Sequence, residues 1–170
     1  IGNELTQLEM RKKIHFDLDS FNEIYDYSKK KGIDFCSTSF GETSTKYLSK
    51  FDMPFWKIPS GEITNTPYLR EIAERRKPII ISTGMANISE IEFALNVLQD
   101  AGISRNKISL LHCTTEYPAN KKEINLNAIT TLKNIFKVNV GYSDHTLGIE
   151  VPIAAVALGA NIIEKHLTLN

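Results

Sequence analysis

Short apolar runs rich in β-branched and aromatic residues recur along the chain. They are GIDFCST from Gly32, PFWKI from Pro54, PIIIST from Pro78, KISLLHCT from Lys107, KVNVGYS from Lys137 and NIIEKHL from Asn161. Several are continuously apolar, the pattern of strands buried on both faces of a parallel sheet. Helical patterns fall between them. In NISEIEFALNVLQDAG, Asn87 and Glu90 have the spacing of a capping box. Ile88, Ile91, Leu95 and Leu98 form an apolar stripe, and Gly102 suits the stop. NTPYLREIAERR and NLNAITTLKNIF carry similar stripes. IEVPIAAVALGA is small and apolar throughout, which predicts a tightly packed, buried helix with Pro152 in its first turn.

Strands alternating with crossover helices mean an α/β fold with a parallel sheet. Two architectures compete: a (β/α)8 TIM barrel, here a partial barrel of about six βα units, and an open doubly wound sheet. No G-x-G-x-x-G follows the first strand, which counts against a dinucleotide-binding open sheet. No linker-like or low-complexity stretch divides the chain, so residues 1–170 are expected to form a single unit. The chain starts at Ile1 without an initiator Met and ends at Asn170 directly after an apolar run, which reads as a piece of a longer protein.

Polar residues fall at the strand ends: STSF, KIPSGE, STGM, HCTTEYP, GYSDHT and EKHLTL. In parallel α/β sheets and barrels, ligand sites sit at the carboxyl ends of the strands. A chain selected only for packing has no reason to repeat Ser, Thr, Lys, Glu and His there, so a small-molecule enzyme is expected. Strand alternation puts Ser143 and His145 on one face with Asp144 opposite, and Glu164 and His166 on one face with Lys165 opposite. Two imidazoles on neighbouring strands can share one divalent cation, for which Mn, Fe, Co and Zn are all suitable, with water and substrate oxygens completing the shell. The alternative for each His is a bond to a backbone carbonyl near a strand end.

Lys57, flanked by Trp56 and Ile58, must either snorkel out or meet an anion. With the hydroxyls of Thr38, Ser60, Ser82 and Ser143 it makes a phosphate cradle, although each hydroxyl taken alone is ordinary cap or turn chemistry. Tyr117 in TEYP offers a sugar an apolar face and a hydroxyl, or simply packs under its loop.

Composition narrows the partners. There are 20 Lys and Arg against 20 Asp and Glu, so bulk charge attracts neither nucleic acid nor anionic lipid, and Lys29–Lys31 read as a solvated helix end. No run reaches the roughly 18 apolar residues that span a bilayer. Cys36 and Cys113 stand alone and far apart, which favours a reducing cytoplasm over a disulfide framework or a zinc site.

The strings KIPSGEITN, PIIISTGMA, LLHCTTEYP, VGYSDHTLGIEVPIAAVALGA and IEKHLTL resemble the sialic acid synthase family, in order, from about Phe35 to the last residue. SDHT followed 21 residues later by EKH makes the likeness specific. It implies a (β/α)8 barrel in which phosphoenolpyruvate condenses with an N-acylated aminosugar, giving a sialic or legionaminic acid and phosphate. By matching position, His145 and His166 would hold Mn or Mg. Lys57, Thr38, Ser60, Ser82 and Ser143 would surround phosphoenolpyruvate, and Tyr117, Glu62 and Glu164 would line the acceptor and reaction centre. Lys57, Glu62 and Glu164 are the expected catalytic residues. The resemblance further implies a cytoplasmic homodimer when full length. The family's first two strands, the segment after the last strand and its small C-terminal antifreeze-like domain have no counterpart here, so the chain alone is expected to be inactive. STSF stands for the usual STPF, Thr115 sits where some relatives carry Asn and bears on the acceptor, and Asn170 replaces a common Asp. Two alternatives are a deoxy-octulosonate- or deoxy-heptulosonate-type synthase acting on a sugar phosphate, and a carbohydrate-binding subunit without catalysis.

Overall fold

A computed structural model describes residues 16–167 and 169, so Thr168 and Asn170 of the sequence reading lie outside the described residues. The chain divides between Phe35 and Cys36 into two compact units, a boundary without a linker signal in the sequence. In the first, helix α1 spans Leu18–Lys31. The Asp17 side chain accepts from the Ser20 N–H at its start, and Gly32 closes it at φ 69°, a left-handed conformation that glycine adopts without a Cβ penalty. Lys29, Lys30 and Lys31 fill its last turn, where the helix dipole favours cations, and they are exposed as expected.

The second unit carries the sheet. Its elements run α2 (Glu42–Leu48), β1 (Trp56–Ile58), α3 (Thr66–Ala73), β2 (Ile79–Ser82), α4 (Ile88–Asp100), β3 (Ile108–Cys113), α5 (Asn127–Phe136), β4 (Asn139–Asp144), α6 (Glu150–Ala157) and β5 (Ile163–Lys165). The five strands pair in parallel in the order β1-β2-β3-β4-β5, so each neighbour in space is also the next strand in sequence. That order is the winding of a barrel wall; a doubly wound sheet reverses at a switch point. The unit is a partial (β/α) barrel.

Among the described residues, five strands form where six were expected. The first expected strand, Gly32–Thr38, carries no ladder. Within the second unit, the Ser37 N–H goes to the Met53 thioether at 3.4 Å and the Cys36 thiol donates to the Phe55 carbonyl at 3.7 Å. A backbone donor directed at sulfur is not available to a neighbouring strand.

Alternation sorts the side chains. Trp56, Ile58, Ile79, Ile81, Ile108, Leu110, Val140 and Tyr142 share the helix-facing side, and all are at most 3% exposed. Leu69 and Ile72 of α3, Leu95 and Leu98 of α4 and Ile129 of α5 are each fully buried on the helices. Each such Leu or Ile contributes roughly 1.5–3 kcal/mol by leaving water. The Asn87–Glu90 capping box is present at α4, whose buried face is Ile91, Ala94, Leu95, Val97 and Leu98; Ile88, in its first turn, is exposed. Helix α6 departs further from expectation. Pro152 lies in its first turn and is buried with Ala155, but Ile153, Val156 and Leu158 are 61%, 54% and 44% exposed. Its sequence is apolar all round, so the expected burial needed partners on every side, and among the described residues only one side has them. No helix among the described residues is long and apolar enough to cross a membrane.

Gly141 sits mid-strand in β4 for a packing reason. A Cβ there would lie 2.4 Å from the Ile162 carbonyl oxygen, which accepts from the Tyr142 N–H at 2.8 Å, and 2.7 Å from a Leu111 methyl. Only a residue without a side chain lets β5 approach β4 this closely.

Candidate active site

On the other face of the sheet, toward the carboxyl ends of the strands, the polar residues converge. Lys57 from β1 is buried, and its ammonium donates to Ser82 Oγ on β2 at 2.8 Å and lies 3.2 Å from Glu164 Oε2 on β5. Of the two fates open to a strand lysine, this one meets an anion. Glu164 Oε1 in turn accepts from Ser143 Oγ on β4 at 2.5 Å, across the paired positions Ser143 and Glu164. Ser143 Oγ is 3.4 Å from His145 Nε2. One chain of contacts therefore runs Ser82–Lys57–Glu164–Ser143–His145 across the face. Glu164 is the solvent-facing member, with 44% of its side chain exposed against 9% for Lys57.

The imidazoles lie at the end of that chain. His145 Nδ1 is 2.6 Å from the Thr114 carbonyl oxygen. A carbonyl only accepts, so Nδ1 carries the proton, and in the neutral ring Nε2 keeps its lone pair. The His145 and His166 rings are 5.6 Å apart between centroids, and the Tyr117 ring lies 4.0 Å from His145 and 5.7 Å from His166. These three residues help to line a cleft of about 440 Å³, with Leu147 and Gly148 on its wall. No third His, Cys, Asp or Glu joins the two histidines in a metal-binding group among the described residues. Two imidazoles, one with its lone pair freed by a carbonyl, are a donor set that would fit a divalent cation.

Other predicted residues are placed less centrally. A Cβ on Gly84, in the loop after β2, would lie 2.5 Å from Thr115 Cγ2, 2.9 Å from Cys113 Sγ and 3.4 Å from Ser60 Oγ. Ser60 and Thr115 are thus gathered about a residue that must lack a side chain. Glu62 ends a short 3-10 turn and accepts from Asn65 Nδ2 at 2.6 Å. Thr38 is half-buried, and no hydrogen bond of its side chain is seen among the described residues. Its neighbour Ser39 is fully buried and shares hydroxyl bonds with Tyr68 and Thr45, each at 3.0 Å, so the serine in STSF is built into the interior.

Electrostatics separates the thiols from the site's working groups. Burial pushes the Cys36 thiol up to about 11, partly offset by the Lys57 charge, and burial likewise raises Cys113. Neither forms the thiolate that a nucleophile needs at neutral pH. Burial also raises the Tyr117 phenol, aided by the charge of Glu164.

Sequence reasoning assigned no role to what lies behind the histidines. Asp144 and Lys165 are partners in the ladder and form an ion pair of 2.5 Å on the helix-facing side. Asp144 is 1% exposed; its other oxygen accepts from the Thr146 N–H at 3.0 Å and hydroxyl at 2.8 Å, and Lys165 also donates to the Thr146 carbonyl at 2.9 Å. Burial works to raise the Asp144 carboxyl, but Lys165 and Thr146 together hold it below the usual carboxylate value.

Comparison with known proteins decides the family. The NeuB family model matches residues 2–170. The chain belongs to the NeuB family. It is 54% identical to the N,N'-diacetyllegionaminic acid synthase of Campylobacter jejuni over 169 residues, which are 99% of this chain and 51% of that protein. It is 42% identical to the synthase of the same name from Legionella pneumophila, over 97% of this chain and 47% of that one. Among solved structures, the N-acetylneuraminic acid synthetase of Leptospira borgpetersenii superposes with a TM-score of 0.86 at 38% identity, covering 92% of this chain and 54% of that one. The chain thus spans about half the length of the curated relatives it matches.

Proposed function

We propose that this chain supplies the phosphate- and metal-binding wall of a nonulosonic acid synthase, which condenses phosphoenolpyruvate with an N-acylated aminosugar and releases phosphate. The observation that carries it is the contiguous set Ser82–Lys57–Glu164–Ser143–His145, which ends beside a second imidazole. A buried ammonium with a serine hydroxyl on it is suited to a phosphate, and paired imidazoles to a hard or borderline cation. The 54% identity to a synthase of a doubly N-acetylated product favours a diacetamido-trideoxy hexose over N-acetylmannosamine as acceptor.

In this mechanism Lys57, Ser82, Ser60 and Thr38 hold the phosphate end of phosphoenolpyruvate. Lys57 offsets its charge as the phosphate leaves. Tyr117 packs against the sugar. Manganese or magnesium held by His145 and His166 would supply Lewis-acid polarisation of the sugar's aldehyde oxygen. Carbon 3 of phosphoenolpyruvate forms the new bond to the aldehyde carbon, and positive charge develops at carbon 2. Water adds to carbon 2, and the resulting tetrahedral centre breaks its bond to the bridging oxygen, releasing inorganic phosphate and leaving the keto acid. Glu164, between Lys57 and Ser143, takes one proton of the entering water, a proton is returned to the sugar's former aldehyde oxygen to give the hydroxyl, and the second water proton leaves with the phosphate; Glu62 serves the acceptor side.

The test is phosphate release by the full-length protein with phosphoenolpyruvate, Mn2+ and either sugar. The expected result is release that is faster with the diacetamido-trideoxy hexose and abolished by EDTA. Release with a phosphorylated sugar alone, or binding of sugar without release, would overturn the proposal.

A further inference from the structure

The ladder between β4 and β5 ends at Asp144 and Lys165, so each histidine sits one residue beyond the last paired position. The two are held unequally. His145 is fixed by its Nδ1 bond to Thr114, and its own carbonyl accepts from the Ala119 N–H at 2.8 Å. His166 has no hydrogen bond among the described residues; it is exposed, and the next residue, Leu167, is 95% exposed. The fixed point nearest His166 in the chain is Lys165, tied at once to Asp144 and to the Thr146 carbonyl. Thr146 follows His145 directly, and both its N–H and its hydroxyl close onto Asp144. The ion pair therefore joins the two His-bearing chain ends from behind, while the Ser143–Glu164 bond joins the same strands on the site face.

We propose that Asp144 and Lys165 are positioning residues, whose pairing holds His166 within chelating distance of His145. The inference rests on the two-histidine metal site proposed above. Without the pair, His145 keeps its anchors and His166 loses its own, so a two-imidazole site becomes in effect a one-imidazole site. Loss of a partner that orients a metal ligand typically weakens metal affinity 10- to 100-fold.

The experiment is titration of the metal-free full-length protein with Mn2+ alone, followed by calorimetry, for Lys165→Met, Lys165→Arg, Asp144→Asn, His145→Ala and His166→Ala. Asp144→Asn keeps the oxygen that accepts from Thr146 and replaces the one that accepts from Lys165 with a donor, so it breaks the ion pair alone and decides the matter if Lys165→Met does not fold. The expected result is a 10- to 100-fold rise in the Mn2+ dissociation constant for Lys165→Met and Asp144→Asn, with Lys165→Arg returning to within about threefold of the unaltered protein. Turnover in the weakened variants should recover at high Mn2+ with an unchanged KM for phosphoenolpyruvate. Unchanged Mn2+ binding in Asp144→Asn, while both histidine variants lose it, would overturn this inference and leave the metal site standing. Unchanged binding in the histidine variants too would overturn both. Lys165 also lines the cleft, so a raised KM for either substrate at unaltered Mn2+ affinity would mark it as a substrate contact and overturn the positioning role.

Discussion

Substituting Gly141 by Ala tests how closely β5 must approach β4 for the site to exist. The new methyl carbon would lie 2.4 Å from the Ile162 carbonyl oxygen and 2.7 Å from Leu111 Cδ2. Non-bonded heavy atoms rest at about 3.5 Å, so β5 must retreat by on the order of 1 Å. The Ile162 oxygen is backbone, not the end of a flexible side chain, so it cannot swing aside. Overpacking of this kind typically costs about 1–3 kcal/mol, and weakening the 2.8 Å bond from Tyr142 N–H to Ile162 adds about 1 kcal/mol. The expected loss is about 3 kcal/mol, or about 9 °C in melting temperature at about 3 °C per kcal/mol for a domain of this size. Gly61→Ala is the control, because a Cβ there meets nothing within 4 Å. Differential scanning calorimetry of the two variants reads the difference directly. The same retreat separates Ser143 from Glu164, so Gly141→Ala should also lose most of its turnover at temperatures where it remains folded. A Gly141→Ala protein that melts within 1–2 °C of Gly61→Ala would show that the strands can part without strain, and the argument for their close approach would fail.

Three other outcomes follow from single contacts. Lys57→Met should lower kcat/KM for phosphoenolpyruvate by about 100-fold or more, the scale on which one charge-stabilising donor acts, and a loss under tenfold would remove Lys57 from the phosphate site. Glu164→Gln takes away the carboxylate that lies 3.2 Å from Lys57, so inorganic phosphate should bind about tenfold more tightly while turnover falls; weaker phosphate binding in a calorimetric titration would contradict the pairing. His112 has a buried Nε2 without a partner among the described residues, and burial lowers its pKa below its ordinary 6.5. As pH falls below about 6.5 the unfolded chain takes up this proton first, and stability declines down to the folded-state value by up to about 1.4 kcal/mol per pH unit. His112→Phe should flatten that acid limb in urea titrations at pH 7.5 and 5, and an unaltered slope would refute the assignment.

Much of the fold could be read because two periodicities are strong here. Continuous apolar runs marked β1 to β5, and the i, i+3, i+4 stripes with the Asn87–Glu90 cap marked α3 to α5. The failures have local causes. Residues 32–38 have strand composition, but composition cannot show that the Ser37 amide goes to a thioether. An apolar helix such as α6 announces burial on every side, whereas the number of neighbours that reach it is a tertiary fact.

The site was legible for a different reason: alternation along a strand is rigid enough to assign faces. Alternation puts Ser143 and His145 opposite Asp144, and Glu164 and His166 opposite Lys165, and the Ser143–Glu164 and Asp144–Lys165 contacts follow those two faces. What alternation could not give was register. Had β5 slipped by one residue against β4, Lys165 would have turned to the site face and both Glu164 and His166 behind it, leaving His145 beside a lysine and without its partner imidazole. Two features oppose that slip. Gly141 admits the Ile162 carbonyl only at the observed register, and the Asp144 carboxylate, 1% exposed, needs a cation opposite it. Alternation turns Asp144 and Lys165 to the opposite face from Ser143 and Glu164, yet their pairing still bears on the site. A buried charge that demands one partner is a strong constraint on register in this sheet, and through register it decides which side chains the site contains.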